Sequence, residues 1–227
     1  VDMYDDVLLL DLDGNILLSA QDESFAASPS IQSALSAALA TKEPILSDFF
    51  RCPKGRICID AVAQVINHNH DPVAFFALRC NANTLLYPLL KIWPTPSPSA
   101  ETLLVEKDGG DALFMNELRH QTNTALALRI PLDRSDVSAV QAVLGQQAMF
   151  HGKNYRGVEV LADLRHVPGS PWFLVAEVEA AEILAEARYR AGMIALFVLL
   201  GILLAAAIVA YAYRLRQAGL YRDLFRS

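Results

Sequence analysis

Apolar residues alternate with polar ones, or run together, in short blocks punctuated by turn residues, and this pattern predicts most of the chain's elements. Val7 to Ser19 reads as two apolar runs around Asp13-Gly14, a dipeptide that supplies the positive φ of a tight hairpin. Ser28-Pro29 marks a helix start, with a helix following to about Thr41 and Ile31, Leu35, Ala38 and Leu39 on its apolar stripe. Strands are expected at Ile45–Arg51, Cys58–Ile66 and Val73–Arg79, then a short helix at Asn83–Ile92. Leu103 to Met115 repeats the hairpin layout around Asp108-Gly109, 95 residues after Asp13-Gly14, with Leu9 matching Leu104 and Asp11 matching Glu106. Further strands are expected at Ala125–Pro131, Val158–Leu164 and Trp172–Val178, with a helix at Val137–Gly145.

Strands and helices segregate rather than alternate, so the expected class is α+β with antiparallel sheets. The run Trp93-Pro94-Thr95-Pro96-Ser97-Pro98-Ser99 supports neither a helix nor an interior strand and marks a boundary between two modules. The expected organisation is a first module over 1–94, a linker over 95–100, a second module over 101–178 and a helix over 179–190.

Ala191 to Tyr213 is 23 residues without a charge. At about 1.5 Å per residue it exceeds the roughly 30 Å of a bilayer's hydrocarbon core, which predicts one transmembrane helix over 191–213. Charge divides at the same place: residues 1–187 carry a net −11, and residues 188–227 a net +5. Arg214, Arg216, Arg222 and Arg226 follow the span against Arg188 and Arg190 before it, favouring a cytoplasmic C-terminus and residues 1–190 outside. Because the chain opens on a strand-like run and closes on a short stub at 214–227, an earlier anchor and a later output domain are both expected. An acidic outer body argues against nucleic-acid binding.

The order of hairpin, helix and returning strands, met twice before a membrane span, resembles the tandem Cache (PAS-like) sensor modules of bacterial receptors. The stretches LYPLLKIWPTPSPSAETLL (Leu86–Leu104) and NYRGVEVLADLRHVPGSPWFLVAEVEAAEI (Asn154–Ile183) resemble outer segments of membrane histidine kinases and diguanylate cyclases, and Tyr221–Ser227 resembles the start of a cytoplasmic PAS domain. The resemblance implies an inner-membrane sensor with a small-molecule ligand and a periplasmic sensing region. A periplasmic protein-interaction module without such a ligand is the alternative.

Candidate ligand contacts lie on the first module's returning strands: Phe49, Arg51, Asp60, Phe75 and Arg79 combine apolar surface with groups able to fork onto a charged ligand, although strand alternation would send some to solvent. Arg129, Tyr155 and Arg156 form a second, smaller set. Cys52 and Cys58 flank a hairpin loop; an exported location permits a disulfide there, and two separate thiols are the alternative. His68-Asn69-His70-Asp71 has metal-ligand side chains but also good turn chemistry, and no metal site or cofactor is expected. Gly109-Gly110-Asp111 superficially resembles a cyclase motif, but the Glu is missing and the glycines fit a turn. No nucleophile elbow, Walker loop or zincin motif occurs, so this segment is not expected to be an enzyme. In the span, Gly201 and Ala205, and Ala206 and Ala210, stand four apart, as in close-packed helix pairs, which fits a homodimer.

Overall fold

A computed structural model describes residues 4–21, 30–52 and 55–224. The described chain falls into two compact units, 1–179 and 180–227.

The first unit holds two six-stranded antiparallel sheets. In the first, β1 (Asp6–Leu10) and β2 (Ile16–Ser19) form the expected hairpin. Its connection is longer than the two-residue turn expected from Asp13-Gly14. The Asp11 carboxylate accepts the N–H groups of Asp13 and Asn15 and the Asn15 side-chain amide at 2.8–3.0 Å, and Gly14 takes φ +86°. The start signal at Ser28-Pro29 lies outside the described residues. Helix α1 (Ile31–Thr41) buries Ile31, Ala34, Leu35 and Ala38, the i, i+3, i+4, i+7 set of one helical face. Leu39, expected in that stripe, sits at its edge and is 40% exposed.

The strand expected over Ile45–Arg51 is broken into β3 (Ile45–Leu46) and β4 (Phe50–Arg51), each paired with β5 (Ile57–Ile66). Ser47 causes the break: its N–H donates to Asp60 O at 2.8 Å and its hydroxyl accepts Asp60 N–H at 2.9 Å, so side chain replaces ladder at that point. After β6 (Pro72–Asn81) come two single turns, α2 (Ala82–Leu85) and α3 (Tyr87–Leu90), in place of one helix over Asn83–Ile92. Pro88 brings no N–H to a continuing ladder.

The second sheet begins with β7 (Glu101–Asp108) and β8 (Asp111–Phe114), joined by the two-residue turn Gly109-Gly110. Only β9 (Arg129–Pro131) survives of the strand expected from Ala125. Thr124 to Leu128 instead forms a turn, with the N–H groups of Ala127 and Leu128 both donating to Thr124 O and Leu126 at φ +55°. Helix α4 (Ser138–Val143) is followed by β10 (Ala148–Lys153), which the hydropathy pattern did not predict, then β11 (Glu159–His166) and β12 (Trp172–Glu179).

The strand orders show the repeat directly. The first sheet runs β2-β1-β6-β5-β3, and the second runs β8-β7-β12-β11-β10 with β9 added at the β8 edge. In each, a hairpin supplies two adjacent strands, a helix follows, and the last strand returns beside the first. Leu8 and Leu10 pack with α1 as Leu103 and Val105, 95 residues on, pack with α4. A third core joins the sheets: Phe49, Ile57, Ile59, Cys80 and Tyr87 from one meet Leu104, Leu113, Met115, Ala125 and Trp172 from the other. Full burial of side chains of this size stabilises by about 1.5–3 kcal/mol each.

The second unit is α5 (Ala180–Leu224), and no residue separates it from β12 in sequence. Helix and span are therefore one continuous helix, with Ala180–Arg214 long and apolar enough to cross a membrane.

Candidate functional site

Antiparallel pairing places three charged residues in a row across the face of the first sheet that carries α1. Asp6 on β1 is the cross-strand partner of Arg79 on β6, and Arg79 is the partner of Asp60 on β5. All three are at most 2% exposed. Arg79 Nε and Nη2 donate to the two Asp60 carboxylate oxygens at 2.8 Å each, a bidentate pair. Asp6 is held by donors on its own hairpin: the Ser19 hydroxyl at 2.7 Å, Val7 N–H at 2.7 Å and Gln21 N–H at 3.1 Å. The Phe50 ring centroid lies 5.0 Å from the Arg79 guanidinium carbon. Beside this row the structure joins Cys52 to Cys58, with Cα atoms 6.0 Å apart.

The five residues singled out in sequence therefore divide. Asp60 and Arg79 meet directly, and Phe75 shares their face but is packed under α1. Phe49 and Arg51 turn away from that row to the junction between the sheets: Phe49 packs against Trp172 in a tilted contact, and Arg51 Nη2 donates to Ala125 O at 2.7 Å. Asp6, Ser19, Ser47 and Phe50 were not anticipated. Asp6 stands opposite Arg79 because β6 returns antiparallel onto β1 in this register.

Of the second set, Arg129 pairs with Asp108 at the surface. Tyr155 donates to Glu101 at 2.9 Å, and Arg156 donates to Glu179 at 2.6 Å. His68 and His70 are exposed on a loop organised by the Asn67 side chain, which accepts the N–H groups of Asn69 and Asp71. Among the described residues no group of three or more His, Cys, Asp or Glu is placed to hold a metal ion.

A cleft of about 570 Å³ opens beside the linker, lined among others by Tyr87, Trp93, Glu101, Asn116, Glu117 and Arg119. Lys91 and Arg119 both line it, and Arg119 is engaged with the linker backbone: its Nη1 donates to Ala100 O at 2.8 Å and Ser97 O at 3.1 Å. The Tyr87 hydroxyl donates to Met115 O, and burial pushes its pKa well above the usual phenol range.

No family model matches this chain, and no curated protein does. Solved structures do. The ligand-binding domain of the Pseudomonas aeruginosa PAO1 amino acid chemoreceptor PctB, in complex with L-Arg, is 11% identical, with a TM-score of 0.55 over 79% of this chain and 73% of that one. The extracellular domain of the putative histidine kinase rpHK1S-Z16 is 13% identical, with a TM-score of 0.55 over 81% of this chain and 73% of that one. The periplasmic sensory domain of the Campylobacter jejuni chemoreceptor Tlp1 is 11% identical, with a TM-score of 0.53 over 80% of this chain and 74% of that one. In fold, the chain is similar to the extracytoplasmic sensor domains of bacterial chemoreceptors and histidine kinases.

Proposed function

We propose that this chain is the ligand-sensing and membrane-anchoring part of a bacterial inner-membrane receptor, of the histidine kinase or diguanylate cyclase type, without catalytic activity of its own in this segment. The observation that carries this reading is the combination of a sensor-domain fold with a last strand, β12, that continues into a helix long and apolar enough to cross a membrane. Residues 1–190 lie in the periplasm and the C-terminus in the cytoplasm, in keeping with the arginines after the span. The first module occupies 1–94 and the second 101–178. The receptor works as a homodimer, in which Gly201 and Ala205 permit close approach of the spans.

The ligand is recognised in the first module at the Asp6–Arg79–Asp60 row. Two carboxylates around one guanidinium leave a formal excess of negative charge at a site sealed from water, next to the Phe50 ring. That combination suits an organic amine or amino acid, whose ammonium group supplies the missing cation. Binding transmits a signal only if the ligand has different affinity for the two signalling states.

The test is thermal unfolding of the full chain in detergent micelles against a panel of amines, amino acids and organic acids. A ligand at one hundred times its dissociation constant stabilises by about 2.7 kcal/mol. The expected result is a saturable shift with an amine-bearing compound, lost in Phe50→Ala. A shift lost in Lys91→Ala but kept in Phe50→Ala moves the ligand to the cleft beside the linker. No shift with any compound favours the second reading, a protein-interaction module. Leu18, Phe76 and Val65, exposed on the sheet face opposite α1, are the surface it would use.

A further inference from the structure

The duplicated sheets differ at one decisive place. Glu101 stands 95 residues after Asp6, on the equivalent first strand and facing the equivalent helix, and the two acids are 8% and 2% exposed. On the returning strand, the cross-strand partner of Asp6 is Arg79, but the partner of Glu101 is Glu177 on β12. The third position, Asp60 in the first sheet, is Ala162 in the second. An acid–base–acid row has thus become two facing acids. Glu177 is 1% exposed.

The surroundings treat the two carboxyls unequally. Glu101 accepts hydrogen bonds from the Tyr155 hydroxyl at 2.9 Å and from the Arg119 N–H. Glu177 accepts a hydrogen bond at 2.6 Å from the hydroxyl of Ser138, the first residue of α4, and no residue of that helix is ionisable. From the segment joining β10 to β11, Asn154 and Arg156 approach it, but the Arg156 guanidinium donates to Glu179 at 2.6 Å. From β11 it faces only Ala162. Two like charges directly opposite one another in a dry interior are strongly unfavourable, and one proton relieves them.

We propose that the Glu101–Glu177 pair is a proton-binding site of the second module, in which a proton on Glu177 stands where the first module has Arg79. Loss of that proton sets two carboxylates against each other across β7 and β12, and β12 is the strand whose chain continues into α5. The second module then answers to periplasmic pH, whatever the first module binds. In support, burial raises the Glu177 pKa to about 7, the facing Glu101 adds to the rise, and Ser138, Arg156 and Asn154 oppose it.

The test uses the full chain in detergent micelles, in a Glu106→Gln background because that carboxyl also titrates near neutrality. Infrared difference spectra should show a protonated-carboxyl band that grows as pH falls through about 7 and is absent from Glu177→Gln. Amide-exchange protection of β12, corrected for intrinsic rates, should fall about tenfold per pH unit between about 5 and 7 and then level off; in Glu177→Gln the slope should vanish. Glu101→Gln, a milder change if Glu177→Gln fails to fold, should move the band to lower pH. A band that survives Glu177→Gln, a band whose midpoint is unmoved in Glu101→Gln, or no band between pH 5 and 8 overturns the proposal.

Discussion

The ring of Phe49 lies 4.8 Å from that of Trp172, centroid to centroid, inclined at 49°. Phe49 ends the irregular stretch between β3 and β4, and Trp172 opens β12, so this contact ties the first sheet to the strand that leads out of the second. Ser47 makes it possible by interrupting the ladder, which redirects Phe49 away from α1 and into the core between the sheets. Arg51 reinforces the junction through Ala125 O.

Phe49→Ala should therefore destabilise the first unit by about 3–5 kcal/mol, the usual cost of truncating a buried aromatic. The junction is the specific loss, so urea unfolding of the full chain in micelles should change from one transition to two. Phe75→Ala, under α1, should cost a similar amount without splitting the transition. If both variants unfold in one step, the sheets do not depend on Phe49 for their cooperativity.

The same junction carries a pH dependence. Glu106 on β7 is half-buried opposite Trp172, and its pKa is raised to about 7 by burial first, then by the charges of Asp48 and Asp108. A carboxyl that holds its proton more tightly folded than unfolded contributes stability at low pH, and that stability is lost as pH rises from about 4.5 to about 7. Asp48 belongs to the first sheet's strand break and Glu106 to the second sheet. Asp48→Asn should consequently stabilise the protein at pH 8 and leave it unchanged at pH 4.5, read as a difference in melting temperature. Equal effects at both pH values would show that Asp48 acts through something other than Glu106.

Alternation and turn chemistry were enough to place both hairpins, α1, β5, β6, β11, β12 and the long apolar helix, because each is a local pattern longer than its irregularities. What escaped the sequence was decided by single residues that interrupt a periodic pattern. Ser47 splits a strand by bonding to Asp60, Thr124 turns a strand into a loop, and Pro88 divides a helix. β10, whose sequence AMFHGK has little alternation, is held by pairing with β11 rather than by its own pattern. Asp60 and Arg79 were singled out as separate ligand contacts; that they face one another, with Asp6 on Arg79's other side, is a matter of register. Register is a property of two strands, and a single strand's pattern does not contain it.

Asp60→Ala leaves the Arg79 guanidinium in a water-free site with its bidentate partner gone, and should cost about 3–5 kcal/mol. Replacing both, Asp60→Ala with Arg79→Met, removes the orphaned charge and leaves Asp6 with its own donors from Val7, Ser19 and Gln21. The double variant should be less destabilised than Asp60→Ala alone, by chemical denaturation at pH 7. A double variant as unstable as the sum of its parts would mean that the pair is a net source of stability.

The Cys52–Cys58 disulfide closes a short loop at the same end of the first sheet, where Cys52 N–H already donates to Arg56 O at 2.8 Å and β4 pairs with β5. A cross-link six residues apart removes little chain entropy, and the loop-closure relation gives about 2 kcal/mol. Cys58 is fully buried and precedes Asp60 by two residues, on the same face. Reduction should thus loosen the end of β5 nearest the charged row. The expected outcome is a loss of about 2 kcal/mol with reductant, matched by Cys52→Ser with Cys58→Ser and insensitive to reductant in that variant. Amide exchange should localise the change to 50–60, leaving β7–β12 unaltered. A loss confined to the second sheet would break the link between the disulfide and this site.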